Sequence, residues 1–359
     1  MISLCGLVPY ALNTAPSQRY RIEQWLPALA DRGISLDLVP FADSQLMTLL
    51  HAHGRRITKA ALGVEALLRR IRVVASSRDY DAVVIHRAVC LAGPAVLERA
   101  IAILGKPVIF DFDDAIYLLH TTAANARLGW MKFPGKTAAI CRVSNQVVVG
   151  NSFLAAYARR YNSSVTVVPT SVDTSRYRPR EPRVRNSRVV VGWMGSSTSQ
   201  THLEMFQPVL KEIVRHNPVE LRVVSDRRPD IAGVDVTWRP WSAETEAEEL
   251  AGFDIGIMPM PDDQWSRGKC SLKALLYMAT GAPAVCSAIG ANREIIRHGE
   301  NGLLASSPEE WVAGIGELAR DANLRLALGA AGRKTVEDHY SMDKCSALFE
   351  SVVRRAVEQ

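Results

Sequence analysis

The sequence has no long apolar run, no paired cysteines and no low-complexity tract. No apolar stretch approaches the roughly 20 residues that a membrane-spanning helix needs. Residues 1–8 are apolar but carry no basic segment, which favours a first core strand over a signal peptide. The six cysteines, at positions 5, 90, 141, 270, 286 and 345, form no C-x-x-C pair. This scatter argues against a zinc site and is typical of free thiols in a reducing cytoplasm.

Several catalytic and binding motifs are also missing. The sequence holds no G-x-x-x-x-G-K-[ST] phosphate loop, no G-x-G-x-x-G fingerprint, no G-x-S-x-G turn and no H-E-x-x-H motif. It has no aromatic-rich RNA-reading motif either. These absences argue against a P-loop nucleoside triphosphatase and a Rossmann-type dinucleotide-binding protein. They also argue against a serine hydrolase with a nucleophile elbow and a zinc peptidase.

Length and composition indicate a folded protein of two domains. The chain has 359 residues, of which 48% are hydrophobic and 22% charged, and this length exceeds that of one typical core. The net charge of +6 is uneven, because residues 1–170 carry +8 and the remainder carries −2. This asymmetry points to an anionic partner for the first half, such as a membrane surface or a charged acceptor, or else to a solvated basic surface.

The first half alternates strands and helices. Strands are predicted at 4–8, 35–40, 82–85, 107–110 and 146–149, and helices at 19–32 and 55–75, the second being basic with an apolar stripe. The last three strands are apolar runs without alternation, typical of strands buried on both faces, so they predict a parallel doubly wound sheet. Ligands of such sheets bind beyond the carboxyl ends of the strands, where the sequence places His86, Asp111 to Asp114, Asn151 and Thr170.

A polar, basic segment with two prolines, residues 173–188, predicts a linker between domains at 1–172 and 189–340. A C-terminal helix at 341–359 can pack back on the first domain. The second half repeats the alternation, with strands at 189–193, 221–224, 234–238, 255–258 and 284–286 and helices at 201–215, 308–319 and 321–338. Two similar α/β halves with a cleft between them are therefore predicted.

Residues 265–304 organise the second half. A basic loop, Ser266 to Ser271, precedes an apolar helix and contains Arg267 and Lys269. Free backbone N–H groups, the helix dipole and two cations make such a loop an anion site, although an ordinary N-capped surface helix shows the same pattern. The turn Gly195-Ser196-Ser197, after a buried strand, is a second candidate phosphate cradle. Together the two loops favour a diphosphate ligand.

Other polar and aromatic residues carry less specific predictions. The run Asp111 to Asp114 could bind a divalent cation, but we prefer a carboxylate that orients an acceptor hydroxyl, or a cap for a helix at 115–119. Glu294 is a candidate acceptor of hydroxyl hydrogen bonds, or else it complements a helix dipole. Five side chains are candidates for acid–base chemistry or base stacking, with ordinary packing as the alternative: His86, His120, Trp238, Trp241 and Trp265.

The stretch from 277 to 304 is similar to the donor-site signature of glycosyltransferase family 4, the retaining sugar-nucleotide enzymes of GT-B fold. The E-A-M-A-x-G-x-P-V-V, P-E-x-V and G-x-x-G-x-L parts of that signature resemble Tyr277 to Val285, Glu294 to Ile296 and Gly299 to Leu304. Upstream segments fall in the family's order at 168–173, 191–196 and 254–259. The resemblance covers residues 145–345 clearly and the first 145 loosely, and it implies two Rossmann-like doubly wound domains facing each other across a cleft.

The chain departs from the family at its two signature glutamates. The E-x7-E positions hold Gly268 and Leu276, and Ser196 to Gln200 stand where the family usually has an Arg and a Lys. The resemblance therefore implies an atypical subgroup, without the glutamates that contact the ribose and the donor sugar. A subgroup with R/K-G-K-C-x-x-K at this place is similar to this chain, so we expect Arg267 and Lys269 to supply the missing diphosphate charge.

The resemblance implies a retaining glycosyltransferase that moves a sugar from a nucleotide-diphosphate sugar, such as a UDP-sugar, to a hydroxyl acceptor, lipid-linked or in a cell-envelope glycan. No metal or other cofactor is expected. The expected catalytic residues are Lys269, Arg267 and Asp113. The expected donor contacts are Gly195, Ser196, Ser197, Trp241, Cys270, Ser271, Leu272 and Glu294. The expected acceptor-side residues are His86, Asp114 and Asn151.

The expected location is the cytoplasm, where helix 55–75 could rest on an anionic membrane surface; no nucleic acid partner is expected. Two alternatives share the fold and the ligand. One is a GT-B sugar-nucleotide epimerase, which needs acid–base groups such as His86 and Asp113. The other is a non-catalytic two-domain protein that binds a sugar or a nucleotide.

Overall fold

The computed structural model describes residues 1–51, 56–118, 133, 135–179 and 188–358. His120 and positions 180–187 of the predicted linker lie outside these ranges. The chain divides into two compact units, Met1–Thr170 with Asp343–Gln359, and Ser171–Met342. Each unit is a six-stranded sheet flanked by helices.

The first unit is built on a parallel sheet whose strands are β1 (Ile2–Val8), β2 (Ile34–Pro40), β3 (Ala82–His86), β4 (Val108–Phe112), β5 (Gln146–Val149) and β6 (Val165–Val167). Their order is β2-β1-β3-β4-β5-β6. Strands β3, β4 and β5 are buried along their whole length, as runs without alternation predict. Strand β4 ends two residues later than predicted, so Asp111 lies inside it.

The second unit repeats this arrangement with β7 (Val189–Met194), β8 (Val219–Ser225), β9 (Val236–Pro240), β10 (Ile255–Met258), β11 (Ala284–Ser287) and β12 (Leu303–Ala305). All neighbouring strands are parallel, in the order β12-β11-β10-β7-β8-β9. The chain continues from β7 towards β8 on one side, whereas β10 to β12 lie on the other. The order therefore reverses between β7 and β10, which is where sheets of this kind bind ligands.

The helices in the described ranges are α1 (Pro16–Arg21), α2 (Leu26–Asp31), α3 (Ser44–His51), α4 (Arg56–Ser76), α5 (Val96–Ile103), α6 (Lys136–Val143), α7 (Ser152–Ala158), α8 (Ser197–Met205), α9 (Gln207–His216), α10 (Glu246–Ala251), α11 (Gln264–Arg267), α12 (Leu272–Ala279), α13 (Asn292–Ile295), α14 (Pro308–Arg320), α15 (Ala322–Thr335) and α16 (Met342–Val357). Two predicted helices are each divided in two. A proline in the first turn begins the second part of both, Pro27 in α2 and Pro208 in α9, because proline starts helices but disrupts their interiors.

Helix α4 corresponds to the predicted basic helix at 55–75, but its charge is not all on the surface. Arg70 is buried and donates hydrogen bonds to the Val39 and Val8 carbonyls, both at 2.9 Å. It therefore fastens the helix to the carboxyl ends of β1 and β2. Arg70 is one of the six cations that the sequence pattern places beside the apolar stripe, and its burial means that it is not on the surface of the helix. No helix in the described ranges is both long and apolar enough to cross a membrane.

Two facing glycines seat helix α12 on the second sheet. Gly192 of β7 pairs with Gly256 of β10. A Cβ at Gly192 would lie 2.1 Å from the Phe253 ring, and one at Gly256 would lie 2.2 Å from the Tyr277 ring. The absence of a side chain at each glycine thus leaves room for both rings against the sheet. The Tyr277 hydroxyl then accepts a hydrogen bond from the Met194 N–H at 3.1 Å, which fixes α12 beside the end of β7.

The last helix, α16, completes the first unit after the chain has passed through the second. Phe349 is fully buried, and its ring centre lies 5.2 Å from that of Trp25. Arg32 forms ion pairs with Asp343 at 2.5 Å and with Glu350 at 3.3 Å. The helix is therefore fastened by both an aromatic contact and ion pairs.

Candidate functional site

The turn that follows β7 is shaped by close packing around Gly195. A Cβ at this position would lie 2.6 Å from the Trp193 ring and 2.7 Å from the Ser199 Oγ. The Gly195 N–H donates to the Val224 carbonyl at 3.0 Å, which ties the turn to β8. Glycine is therefore required here because the backbone approaches an indole ring, and the turn lies at the carboxyl edge of the sheet as predicted.

Helix α8 begins at this turn, and a carboxylate already lies at its start. The Ser196 side chain makes no capping bond and instead shares a 2.7 Å hydrogen bond with the Thr198 hydroxyl. The N–H and hydroxyl of Ser197 donate to Asp226 at 2.5 and 2.8 Å. Asp226 follows β8, and nothing in its local sequence marks it as part of this turn. The negative charge expected near the start of α8 is thus supplied in part by the protein.

The predicted basic loop at 266–271 is partly helical. Asp263 caps α11 by accepting a hydrogen bond from the Ser266 N–H at 2.7 Å. Arg267 lies in the last turn of α11, is half exposed and pairs with Asp262 at 2.6 and 3.0 Å. The hydrogen bond between them raises the pKa of Arg267 and lowers the pKa of Asp262. Arg267 therefore already has a carboxylate partner.

The start of α12 lacks a side-chain cap. Ser271, its N-cap residue, has a left-handed backbone with φ of 56°, and its hydroxyl donates to Asn292 Oδ1 at 2.6 Å instead of capping the helix. The buried Asn292 amide donates in turn to the Ser287 carbonyl at 2.8 Å. A non-glycine residue held in the left-handed region costs about 1–2 kcal/mol. A strained helix start without a side-chain cap favours the anion site over the ordinary N-capped helix.

Lys273, at the second position of α12, is the residue that our sequence predictions did not include. Its Nζ lies 4.4 Å from the centre of the Trp193 ring and 3.1 Å from the Ser199 Oγ. The residue is partly buried, and loss of hydration together with the like charge of Lys269 lowers the pKa of Lys273 to about 7. Its only signal in the sequence is the last lysine of the R/K-G-K-C-x-x-K pattern.

The remaining expected donor contacts lie around the same sheet edge. Trp241 follows β9, is 36% exposed and donates its indole N–H to Glu246 at 3.2 Å. Lys269 places its Nζ 5.0 Å from the centre of the Trp265 ring. Trp238 packs against the core of the unit. Trp241 is thus the most exposed of the three predicted tryptophans.

Three further residues in this region differ in exposure. Glu294 is exposed in the first turn of α13, where its charge complements the helix dipole. Cys270 is buried directly before α12, whereas Leu272, the first residue of that helix, is partly buried. Glu294 is thus the exposed residue of the three.

A buried charged cluster lies at the carboxyl edge of the first sheet. Asp111 accepts hydrogen bonds from Arg21 at 2.5 Å and from His86 Nδ1 at 2.6 Å, and all three side chains are completely buried. Burial raises the pKa of Asp111, but Arg21 and His86 outweigh it and bring the pKa down to about 2. The Nε2 atom of His86 has no hydrogen-bond partner among the described residues. This edge therefore holds an oriented Asp–His pair with an unused ring nitrogen.

A second charged group lies next to it in sequence. Arg87, whose φ of 63° is left-handed, pairs with Asp113 at 2.8 Å and with Asp114 at 2.5 Å. The two carboxylates outweigh burial and raise the pKa of Arg87, and Arg87 in turn lowers the pKa of Asp113. Residues 115–118 form turns and not the start of a helix. The prediction that this run caps a helix at 115–119 is therefore wrong for residues 115–118. Asp113 and Asp114 bind Arg87 instead.

Asn151, expected on the acceptor side, caps helix α7 by accepting a hydrogen bond from the Leu154 N–H at 2.9 Å. Its side chain is buried, so a structural role is clear. Within the described ranges, no group of three or more His, Cys, Asp or Glu side chains could hold a metal ion.

Comparison with known protein sequences gives a family match in the second unit. Residues 188–321 match a family model described as glycosyl transferases group 1. The chain is 26% identical over 322 residues to an MMP α-(1→4)-mannosyltransferase of Mycolicibacterium hassiacum, covering 81% of this chain and 74% of that protein. It is also 27% identical over 115 residues to a D-inositol 3-phosphate glycosyltransferase of Thermobispora bispora, covering 32% of this chain and 26% of that protein. These relatives are named as transferases and do not support the epimerase or the non-catalytic alternative.

Comparison with solved structures concerns the whole chain. The Anabaena protein HepE, solved in complex with UDP and glucose, matches with a TM-score of 0.68 and 15% identity, covering 99% of this chain and 100% of that one. Sucrose-phosphate synthase from Thermosynechococcus elongatus matches with a TM-score of 0.67 and 14% identity, covering 99% of both chains. At these identities the likeness shows the fold, and it confirms the predicted GT-B architecture of two Rossmann-like α/β units.

Proposed function

Because the chain is a glycosyltransferase of GT-B fold, we propose that it transfers a sugar from a nucleotide-diphosphate sugar to a hydroxyl acceptor with retention of anomeric configuration. The observation that carries this proposal is the arrangement at the carboxyl edge of the second sheet. There the glycine turn at Gly195 and the uncapped start of α12 follow β7 and β10, on either side of the point where the strand order reverses. The UDP bound in the HepE structure supports a nucleotide as the donor's carrier.

The donor diphosphate lies, in this proposal, between the Gly195-Ser196 turn and the backbone N–H groups that begin α12. These groups and the helix dipole are fixed before the reaction and stabilise the charge that develops on the departing diphosphate without a metal ion. The nucleoside lies near Trp241, whose partly exposed indole offers a stacking face. Glu294 and Lys269 remain candidate contacts to the sugar or ribose hydroxyls and to the diphosphate.

The acceptor lies, in this proposal, on the carboxyl edge of the first sheet. His86 Nε2 is buried and has no hydrogen-bond partner among the described residues, so it can bind a hydroxyl group that reaches it, and Asp111 orients the imidazole by accepting from Nδ1 at 2.6 Å. Arg87 positions Asp113 and Asp114 in the same way. We therefore assign acceptor binding to His86 and Asp113, and we assign to Asn151 the support of α7.

Peripheral contact with a membrane through α4 is the finer part of the proposal. Four apolar side chains, Ile57, Val64, Leu68 and Ile71, are at least 44% exposed and follow one face of this helix. An exposed apolar stripe flanked by cations is typical of helices that lie in a membrane interface. Co-sedimentation with vesicles of phosphatidylcholine, alone or with phosphatidylglycerol, tests this. Equal binding to both vesicles, or none, would reject it.

The transferase proposal is tested with purified protein, a panel of UDP-, GDP- and dTDP-sugars, and bacterial lipid extract as acceptor. Nucleotide release is followed by a coupled assay, and the anomeric configuration of the product by NMR. Lys269→Met should lower the rate, while Lys334→Met, on an exposed part of α15, is the matched control. Release with inversion would contradict retention, and no transfer from any donor would contradict the proposal.

A further inference from the structure

Lys273 carries a positive charge into a place where the protein offers it no negative one. Its Nζ contacts the Ser199 hydroxyl at 3.1 Å and the face of the Trp193 ring at 4.4 Å. Among the described residues, no carboxylate acts on Lys273, because the charged or titratable groups near it are Lys269 and Cys286. The surroundings are therefore a neutral hydroxyl and an indole ring, which together cannot replace the water that an ammonium loses on partial burial.

The other titratable groups near Lys273 do not compensate its charge. Lys269, in the loop before α12, adds a like charge that disfavours the ammonium form. Cys286, at the end of β11, is fully buried, and burial raises the pKa of its thiol so far that it stays neutral. On the α8 side, the contact is the uncharged Ser199. Neither of these two groups therefore supplies Lys273 with the anion that a resting ion pair would have.

Lys273 brings a positive charge to the segment where the similar family usually has an Arg and a Lys. The segment Ser196 to Gln200 lacks the Arg and Lys expected there, yet the Lys273 Nζ reaches Ser199 within that segment. The cation therefore arrives at the glycine turn from helix α12, 74 residues later in the chain. Arg267 does not have this role at rest, because it pairs with Asp262.

We propose that Lys273 is the diphosphate-binding cation of the donor site and that it binds the nucleotide sugar together with a proton. This inference rests on the proposed function and adds a residue and a linkage to it. The free lysine is held partly neutral by its surroundings. A bound diphosphate supplies the missing anion, favours the ammonium form and so draws a proton from solvent.

The test is isothermal titration calorimetry of the full chain with UDP-glucose and GDP-mannose at pH 6, 7 and 8, in two buffers of different ionisation enthalpy. Nucleotide sugars are chosen because their phosphodiesters do not titrate in this range, whereas the terminal phosphate of UDP does. With a free-state pKa of about 7, proton uptake should rise from about 0.1 at pH 6 to about 0.9 at pH 8, and the affinity should fall about fivefold from pH 7 to pH 8.

Two variants separate the charge from the proton. Lys273→Arg keeps a permanent cation, so it should bind with proton uptake near zero at all three pH values. Lys273→Met should weaken binding about 10- to 100-fold, which is typical for loss of a charged hydrogen bond. Lys334→Met is the surface control and should behave as the wild type.

The outcomes distinguish the two proposals. Binding without proton uptake by the wild type, or equal affinity of Lys273→Met, overturns the inference about Lys273 and leaves the transferase proposal standing. Absence of binding to every nucleotide sugar, by the wild type and at every pH, overturns the transferase proposal and this inference with it. The wild-type pH series decides the point even where a variant fails to fold.

Discussion

Replacing Lys273 by methionine should stabilise the ligand-free protein, although it should weaken donor binding. The environment lowers the pKa of this lysine from its usual 10.5 to about 7. Between these values the unfolded chain binds more protons than the folded one, so stability rises with pH from about 7 to 10.5. Below pH 7 the full cost of holding the charged lysine is present. Methionine has a similar length and no charge, so it removes this cost.

The size of the effect follows from the pKa difference. At about 1.4 kcal/mol per pKa unit, the full shift corresponds to roughly 5 kcal/mol. Lys273 is only partly buried, so this value is the upper bound of the gain that we expect at pH 6–7. The gain should shrink as the pH rises above about 7 and should disappear only above the unfolded pKa of 10.5, where the folded and unfolded wild-type chains are both largely deprotonated.

Urea unfolding followed by tryptophan fluorescence at pH 6, 7, 8 and 9 measures this difference. Lys334→Met serves as the control, because it removes one charge from an exposed side chain and so restores little lost hydration. The expected pattern is a stability gain for Lys273→Met that declines with pH, and a small, pH-independent change for Lys334→Met. A loss of stability on Lys273→Met, or a gain that does not depend on pH, would refute the physical argument for this site.

Three further predictions concern the frame around the two candidate sites. Asp111→Asn should destabilise the first unit by about 3–5 kcal/mol, because it removes the carboxylate partner of the buried Arg21; Asp31→Asn, at an exposed position, is the control in urea unfolding and should change stability by under about 1 kcal/mol. Since the folded pKa of Asp111 is about 2 and its unfolded value is higher, its stabilisation is complete above about pH 4 and is lost as the pH falls towards 2, which acid titration by circular dichroism checks. Gly192→Ala should destabilise by about 1–3 kcal/mol, because its Cβ would overlap a phenylalanine ring, whereas Gly63→Ala, with nothing within 4 Å, should stabilise helix α4 by up to about 1 kcal/mol in thermal unfolding. Equal effects of the two glycine substitutions would contradict the packing described for β7.

The sequence predicts the buried strands well, because an unbroken apolar run bounded by polar residues has few other uses. The intervals 146–149 and 255–258 coincide with β5 and β10. The helix predicted at 19–32 is wrong as a single element. The spacing of the apolar residues predicts one continuous helix across position 27. In the structure, Pro27 instead lies in the first turn of a separate helix, α2. Local patterns thus gave the existence of the elements but not their ends.

The candidate site was predictable in outline only. Local composition identified the Gly195 turn and the loop before α12, because glycine, serine and cations near a helix start have one obvious shared use. The contacts that decide the site's charge are long-range. Ser197 meets Asp226 from 29 residues away, and Lys273 meets Ser199 from 74 residues away. No periodicity or spacing in one sequence encodes such pairs.

The first unit contains helix α16, which is synthesised after the second unit. The unit needs Phe349 beside Trp25 and Asp343 beside Arg32, yet these partners are translated only after the whole second unit. At about 5–20 residues per second, residues 171–359 take roughly 10–40 s to appear. During this time the first unit lacks α16, whereas the second unit can fold as soon as its own residues have emerged. A chain truncated at residue 170 would keep that incomplete surface permanently.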